Sequence, residues 1–219
     1  TMFDTFEGNA EGCYLYSRHS TPSNLYLGQA LAAMEGTQTA TVAATGMGAI
    51  TPALMQVCQA GDHIVSSRTI YGGTYAFLKN FTPKYGLETT FVDITDLQQV
   101  EKAIQPNTKM IFCETIGNPG LNVTDIAALA DIAHANGIPL VVDSTFTTPY
   151  LLRPIEHGAD IVCHSLTKWM GGHGVGIGGI VVDSGTFNWQ SDKFPLMTEP
   201  EPSYHNVRWA YDLGPLSPV

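Results

Sequence analysis

From residue 39 onward the chain alternates short, apolar, β-branched runs with stretches whose apolar residues recur at helical spacing. "TATVAAT" (39–45) predicts a strand, and a helix near 47–59 comes after it, with Pro52 in its first turns. "DHIVSS" predicts a strand, "TYAFLKNF" a helix and "LETTFVD" a strand. "DLQQVEKAI" is a short helix for which Asp96 is a good N-cap. "TKMIFCET" and "PLVVDST" are apolar strands on either side of the helix "TDIAALADIAHANG", which Gly137 ends. "ADIVCHS" and "GGIVVD" complete the series. Apolar strands alternating with helices predict an α/β fold, a mostly parallel sheet with helices on both faces.

The first 38 residues break this rhythm. "GCYLYSRHSTPSN" (12–24) mixes aromatic and basic residues with little periodicity, and the amphipathic stretch "LYLGQALAAMEG" comes next. The pattern reads as an extended arm leading into one helix, which divides the chain into 1–38 and a main domain at 39–219. No internal repeat or low-complexity tract interrupts either part.

Composition narrows the function classes. With 219 residues, 44% hydrophobic and 14% charged, the chain has the content of a globular protein with a sizeable core. A net charge of −10 argues against nucleic acid or an anionic membrane surface as partner. No signal peptide and no run of about 18 apolar residues is present. Cys58, Cys113 and Cys163 sit in apolar runs, and with Cys13 they form no C-x-x-C pair. All four read as reduced thiols of a cytoplasmic protein. Thr1 and the abrupt "LGPLSPV" end suggest part of a longer chain.

In open parallel sheets ligands bind beyond the carboxyl ends of the strands. Four motifs fall there: "TGM" (45–47), "ETIGNP" (114–119), "DSTF" (143–146) and "HSLTK" (164–168). Gly174, Gly176 and Gly179 make a formal G-x-G-x-x-G, but a strand pattern stands next to it where a dinucleotide fold needs a helix. There is no Walker A lysine, G-x-S-x-G or H-E-x-x-H. His164 and His173 are nine residues apart, which matches no standard metal site, and read as one packed and one loop histidine.

The strand-end residues suggest one chemistry jointly. Gly46 and Met47 open a helix, where backbone N–H groups can hold a phosphate. Ser165 and Thr167 add hydroxyls beside Lys168. Asp143 can sit under a heterocyclic nitrogen, and Tyr71 can stack on an aromatic ring. A phosphate cradle, a carboxylate, an aromatic plate and a lysine together describe pyridoxal phosphate (PLP) bound as a Schiff base. Each residue alone has a plainer reading. Ser165 and Thr167 can cap a turn, Asp143 can cap a turn or helix after its strand, Tyr71 can be core, and a lone lysine is usually solvated.

The segments "YSRHSTPS", "ATGMGAI", "YGGTYAF", "ETIGNP", "VVDSTFTTPYLLRPIEHGADIVCHSLTKWMGGHG" and "IGGIVVD" resemble the Cys/Met-metabolism PLP-dependent enzymes. Those enzymes include cystathionine γ-synthase, cystathionine and methionine γ-lyases, and O-acetylhomoserine sulfhydrylase. The resemblance implies a PLP-dependent, aspartate-aminotransferase-like (fold type I) large domain with a seven-stranded, mostly parallel sheet. It implies Lys168 as the Schiff-base lysine, Asp143 as partner of the ring nitrogen, and Tyr71 as the stacking residue that also assists proton transfer. Gly46, Met47, Ser165 and Thr167 resemble the phosphate ligands, and Asn118 the asparagine beside the cofactor's 3-hydroxyl. Tyr16 and Arg18 resemble the pair that reaches a neighbouring subunit's cofactor. That pair implies a homo-oligomer sharing active sites, a dimer unit within a tetramer.

Two departures from the family pattern stand out. "HSTPSN" replaces the usual "NPT" after Tyr16 and Arg18. The family's C-terminal domain, with the arginine that binds the substrate carboxylate, is absent from the chain. "GTFNWQSDKFPLMTEPEPSYH" (185–205) resembles an insertion of O-acetylhomoserine sulfhydrylases, the alternative being a variable surface loop. The implied reaction is γ-replacement on O-acetylhomoserine by sulfide or a thiol. A γ-lyase, a cystathionine γ-synthase and an inactive PLP-binding fragment are the alternatives.

Overall fold

The computed structural model describes residues 14, 16–17 and 21–213. Helix α1 (Pro22–Glu35) starts where Thr21 takes the Asn24 N–H on its side-chain oxygen and Pro22 supplies a helical φ; it stops at Gly36, at φ 81°. Gly28 lets it lie close on the sheet, since a Cβ there would stand 2.6 Å from the Ala40 carbonyl oxygen. Strand β1 (Ala40–Ala43) and helix α2 (Gly46–Met55) are next. Then come β2 (His63–Ser67), α3 (Gly72–Ala76), β3 (Glu88–Val92), α4 (Leu97–Ala103) and β4 (Thr108–Glu114). Helix α5 (Ile126–Ala135), β5 (Leu140–Asp143), the short α6 (Thr148–Leu151), β6 (Ile161–Ser165) and β7 (Gly179–Asp183) complete the sheet region.

The seven strands form one sheet in the order β1-β7-β6-β5-β4-β2-β3. Neighbours from β6 to β3 run parallel, and β7 runs antiparallel to both β6 and β1. Two reversals restore the direction of β1, so its carboxyl end lies on the same sheet edge as those of β4, β5 and β6. All seven residues of β4 and all four of β5 are buried, which requires cover on both faces.

The predicted strands and helices are found, with shifts at helix ends. Helix α2 begins at Gly46 and ends at Met55, and Pro52 falls in its second turn. Its interior position is tolerated because the Thr51 hydroxyl donates to the Met47 carbonyl at 2.7 Å and helical bonding resumes from Gln56 to Pro52. The helix predicted at "TYAFLKNF" starts earlier, at Gly72, and widens into a π turn over Phe77–Phe81 before Pro83. Residues 185–205 are not a loose surface loop. Trp189, Phe194 and Met197 are buried, and Phe187, Trp189 and Phe194 meet edge to face. The Lys109 ammonium donates to the Lys193 carbonyl and pairs with Asp62 at 3.4 Å, which clips this segment to the body.

Candidate active site

The carboxyl ends of β1, β4, β5 and β6 border a cavity of about 750 Å³. Eight predicted site residues line it: Gly46 and Met47 after β1; Tyr71 and Asn118 on the adjoining loops; Asp143 on β5; Ser165 on β6, with Thr167 and Lys168 just beyond. Tyr16 is exposed and does not line the cavity. Arg18 lies outside the described residues.

The helix start after β1 is built for close approach. Thr45 accepts the Gly48 N–H at 2.8 Å, so the N–H groups of Gly46 and Met47, in the same first turn, remain for a ligand. A Cβ on Gly46 would stand 2.6 Å from the Ser165 Cβ, and one on Gly179 would lie 2.0 Å from the Thr45 carbonyl oxygen. The last glycine of the formal G-x-G-x-x-G is therefore required by strand packing beside this turn. The Thr167 hydroxyl donates to the Gly178 carbonyl at 3.3 Å and accepts its N–H at 3.2 Å, tying the glycine loop to the lysine turn. Thr167 thus caps a turn and lines the cavity at once.

Tyr71 is half-exposed, so the core reading does not apply to it. Its ring lies over Gly73, where a Cβ would come within 2.4 Å of Tyr71 Cε1. Asp143 is buried; its Oδ1 accepts the Thr145 N–H at 2.9 Å in a local turn, while Thr145 Oγ1 accepts the Ser165 N–H at 2.8 Å. Burial pushes the Asp143 carboxyl upward, against the Thr145 hydrogen bonds and the charge of His164, which pull it down. Among the described residues, no hydrogen bond or ion pair holds the Lys168 amine.

Glu114 belongs to this site although its sequence position gave no such indication. It ends β4, is buried, and accepts the Tyr71 N–H at 2.6 Å and the Asn118 N–H at 3.2 Å on its two oxygens. Burial first, and then the neighbouring Asp143, raise its carboxyl to about 7. One side chain thereby fixes the backbone of two predicted cofactor contacts. His164 is packed, as expected, and His173 lies in a loop with Nδ1 3.0 Å from the Gly171 carbonyl oxygen.

The model of the Cys/Met metabolism PLP-dependent enzyme family matches residues 1–208. The chain belongs to this family. It is 45% identical over 204 residues to O-acetyl-L-homoserine sulfhydrylase of Leptospira meyeri, covering 93% of this chain and 46% of the relative. It is 47% identical over 189 residues to L-methionine gamma-lyase of Porphyromonas gingivalis, covering 83% and 47%. A crystal structure of a protein assigned as O-acetylhomoserine (thiol)-lyase from Campylobacter jejuni superposes with a TM-score of 0.91 at 34% identity. That match covers 98% of this chain and 54% of the other, which carries N′-pyridoxyl-lysine-5′-monophosphate. The chain spans about half the length of the curated relatives it matches.

The fold is that of a PLP-dependent fold type I large domain, as expected from the sequence, and the family's cofactor is pyridoxal phosphate. The cavity fits that cofactor. It combines a backbone cradle that a Cβ at Gly46 would fill, a buried carboxylate at Asp143, an accessible ring at Tyr71 and an unengaged amine at Lys168. No helix among the described residues is long and apolar enough to cross a membrane.

Proposed function

We propose that the whole protein catalyses PLP-dependent γ-replacement on an O-acylated homoserine. Sulfide or a thiol forms a bond to the γ-carbon, the Cγ–O bond breaks, and the carboxylate, acetate for O-acetylhomoserine, leaves. The observation that carries this reading is the convergence of Lys168, Asp143, Tyr71, Asn118 and the Gly46 turn on one cavity.

Pyridoxal phosphate supplies an electron sink for the carbanion that forms beside the substrate's amino group. Lys168 holds the cofactor covalently and, once released by the substrate amine, takes the α-proton as general base. Asp143 keeps a proton on the ring nitrogen through a charge-assisted bond. Tyr71 stacks on the ring and helps move protons, and Asn118 stands by the 3-hydroxyl. Gly46, Met47, Ser165 and Thr167 receive the phosphate.

The exposed position of Tyr16, away from the cavity, supports its reaching a neighbouring subunit's site together with Arg18, in a dimer unit of a homotetramer. The division into 1–38 and 39–219 matches this sharing. Cys58, Cys113 and Cys163 are free and buried, which supports a reducing, cytoplasmic setting. Similarity to the Porphyromonas γ-lyase supports a second reading, elimination with release of 2-oxobutyrate.

A substrate panel on the full-length protein tests the proposal: O-acetylhomoserine with sulfide, O-succinylhomoserine with cysteine, and methionine alone. Homocysteine from the first pair is the expected main product. Dominant 2-oxobutyrate from methionine overturns replacement in favour of the lyase. A protein with bound PLP and no turnover on any of the three overturns both.

A further inference from the structure

Glu35 and His164 lie 129 positions apart in sequence, yet the Glu35 Oε1 and His164 Nε2 atoms are 2.5 Å apart, and both side chains are almost fully buried. The remaining atoms, Glu35 Oε2 and His164 Nδ1, are buried without a hydrogen-bond partner among the described residues. Glu35 is the last residue of α1, where the helix dipole already disfavours a negative charge. A carboxylate buried at such a point needs a positive partner, so the pair reads as carboxylate and imidazolium in a short, charge-assisted bond.

The position of His164 gives this pair a use. On β6 it stands next to Cys163, which is the register partner of Asp143 on β5. Side chains alternate along a strand, so His164 projects through the face opposite the cavity, behind Asp143. It is not among the residues that line the cavity. Its positive charge nevertheless reaches Asp143 and opposes the effect of burial there.

We propose that Glu35 and His164 are a positioning pair: they fix the end of helix α1 onto β6 and hold a positive charge behind Asp143, so that this carboxylate stays ionised under the cofactor ring. The inference rests on the PLP reading of the cavity. It also explains why an ion pair with two unpaired polar atoms persists in a core. Replacing such a pair by apolar side chains is often neutral or stabilising, so stability alone gives no reason to keep it.

That property supplies the test. Glu35→Gln, His164→Gln and the double variant Glu35→Leu/His164→Phe are made in the full-length protein and stripped of cofactor. Thermal unfolding of each apoprotein, PLP affinity by titration, and the ratio of the bound cofactor's absorption bands at fixed pH are measured. The single variants unfold at lower temperature, and the double variant recovers most of that loss. PLP affinity falls about tenfold in all three, the double variant included, as for loss of an interaction with a charged group. The absorption bands shift in the same sense in all three. Recovery of both affinity and spectrum in the double variant means a purely structural pair and overturns the inference, as does wild-type affinity and spectrum in the singles. Wild-type protein that takes up no PLP overturns the cofactor reading itself, and the inference with it. If the double variant does not fold, the Glu35→Gln spectrum and affinity decide by the same criteria.

Discussion

Glu114 and Asp143 stand directly opposite one another in the register of β4 and β5, two buried carboxylates at the ends of adjacent parallel strands. Each opposes ionisation of the other. Asp143 is compensated by the Thr145 hydrogen bonds and the charge of His164, and Glu114 by the Tyr71 and Asn118 N–H groups. Glu114 retains a net rise, to about 7 from an ordinary value of 4.5. Its ionised form is the one that accepts both N–H groups best, so the carboxylate that orders two cofactor contacts changes charge near neutrality.

This predicts a pH-dependent stability for the cofactor-free protein. A carboxyl whose folded value is raised binds its proton more tightly when folded. Its contribution is full below about 4.5 and is lost as pH rises through about 7. Wild-type apoprotein therefore loses stability between pH 5 and 7, by up to about 1.4 kcal/mol per pH unit from this group. Glu114→Gln shows a flatter profile over the same window. Denaturant unfolding at pH 5, 6, 7 and 8 checks it, and parallel curves for the two proteins would refute the assignment.

Much of the fold was legible because buried parallel strands are continuous apolar runs, as in "KMIFC" and "PLVV", and because Asp96 and Gly137 mark helix ends locally. Lys168, Asp143 and the Gly46 turn were legible since each comes directly after such a run. Glu114 was harder. A glutamate after an apolar run reads as the first solvated residue, and only the register of β4 against β5 puts it beside Asp143. A signal was available, because "ET" and "DS" end two successive apolar strands with a carboxylate at the same point. Glu35 and His164 had no such signal, since helix packing alone brings "MEG" to "CHS". The aromatic packing of Phe187, Trp189 and Phe194 was hidden because polar and proline residues separate these rings in sequence.

Asp143→Asn separates stability from catalysis. The amide keeps the size of the side chain and an oxygen for the Thr145 N–H, and it removes a charge whose burial is unfavourable. The apoprotein is expected to melt at the same temperature as wild type or higher. Turnover of the full-length protein falls at least about 100-fold, since the ring nitrogen loses its anionic partner. Calorimetry and steady-state rates on one preparation decide, and near-normal turnover would remove Asp143 from its role.

Gly72 and Gly73 form a matched pair. A Cβ at Gly73 would stand 2.4 Å from the Tyr71 ring, whereas one at Gly72 meets nothing within 4 Å. Neither glycine has a positive φ, so alanine is tolerated by the backbone at both positions. Gly73→Ala must turn the Tyr71 ring, and is expected to weaken PLP binding by about tenfold, a loss the size of one aromatic contact. Gly72→Ala leaves binding unchanged. Titration of both apoproteins with PLP, read at the cofactor's absorption band, tests whether the ring orientation set by Gly73 is the one the cofactor uses.

Phe194 tests whether residues 185–205 belong to the core. Its side chain is fully buried, packed against Phe187 and Trp189 with ring centroids 5.7 and 5.1 Å away, and the Lys109 ammonium lies 5.8 Å from its ring centre. Truncation removes an aromatic side chain and leaves a cavity, a change that costs about 3–5 kcal/mol in other cores. It also leaves Lys109 and Asp62 paired beside empty space. Phe194→Ala is therefore expected to lower the unfolding free energy of the protein by that amount. PLP affinity of the folded fraction should be retained, because none of these rings lines the cavity. A surface loop would give a change within about 0.5 kcal/mol. Denaturant unfolding monitored by tryptophan fluorescence distinguishes the two, since Trp189 reports directly on the packing around Phe194.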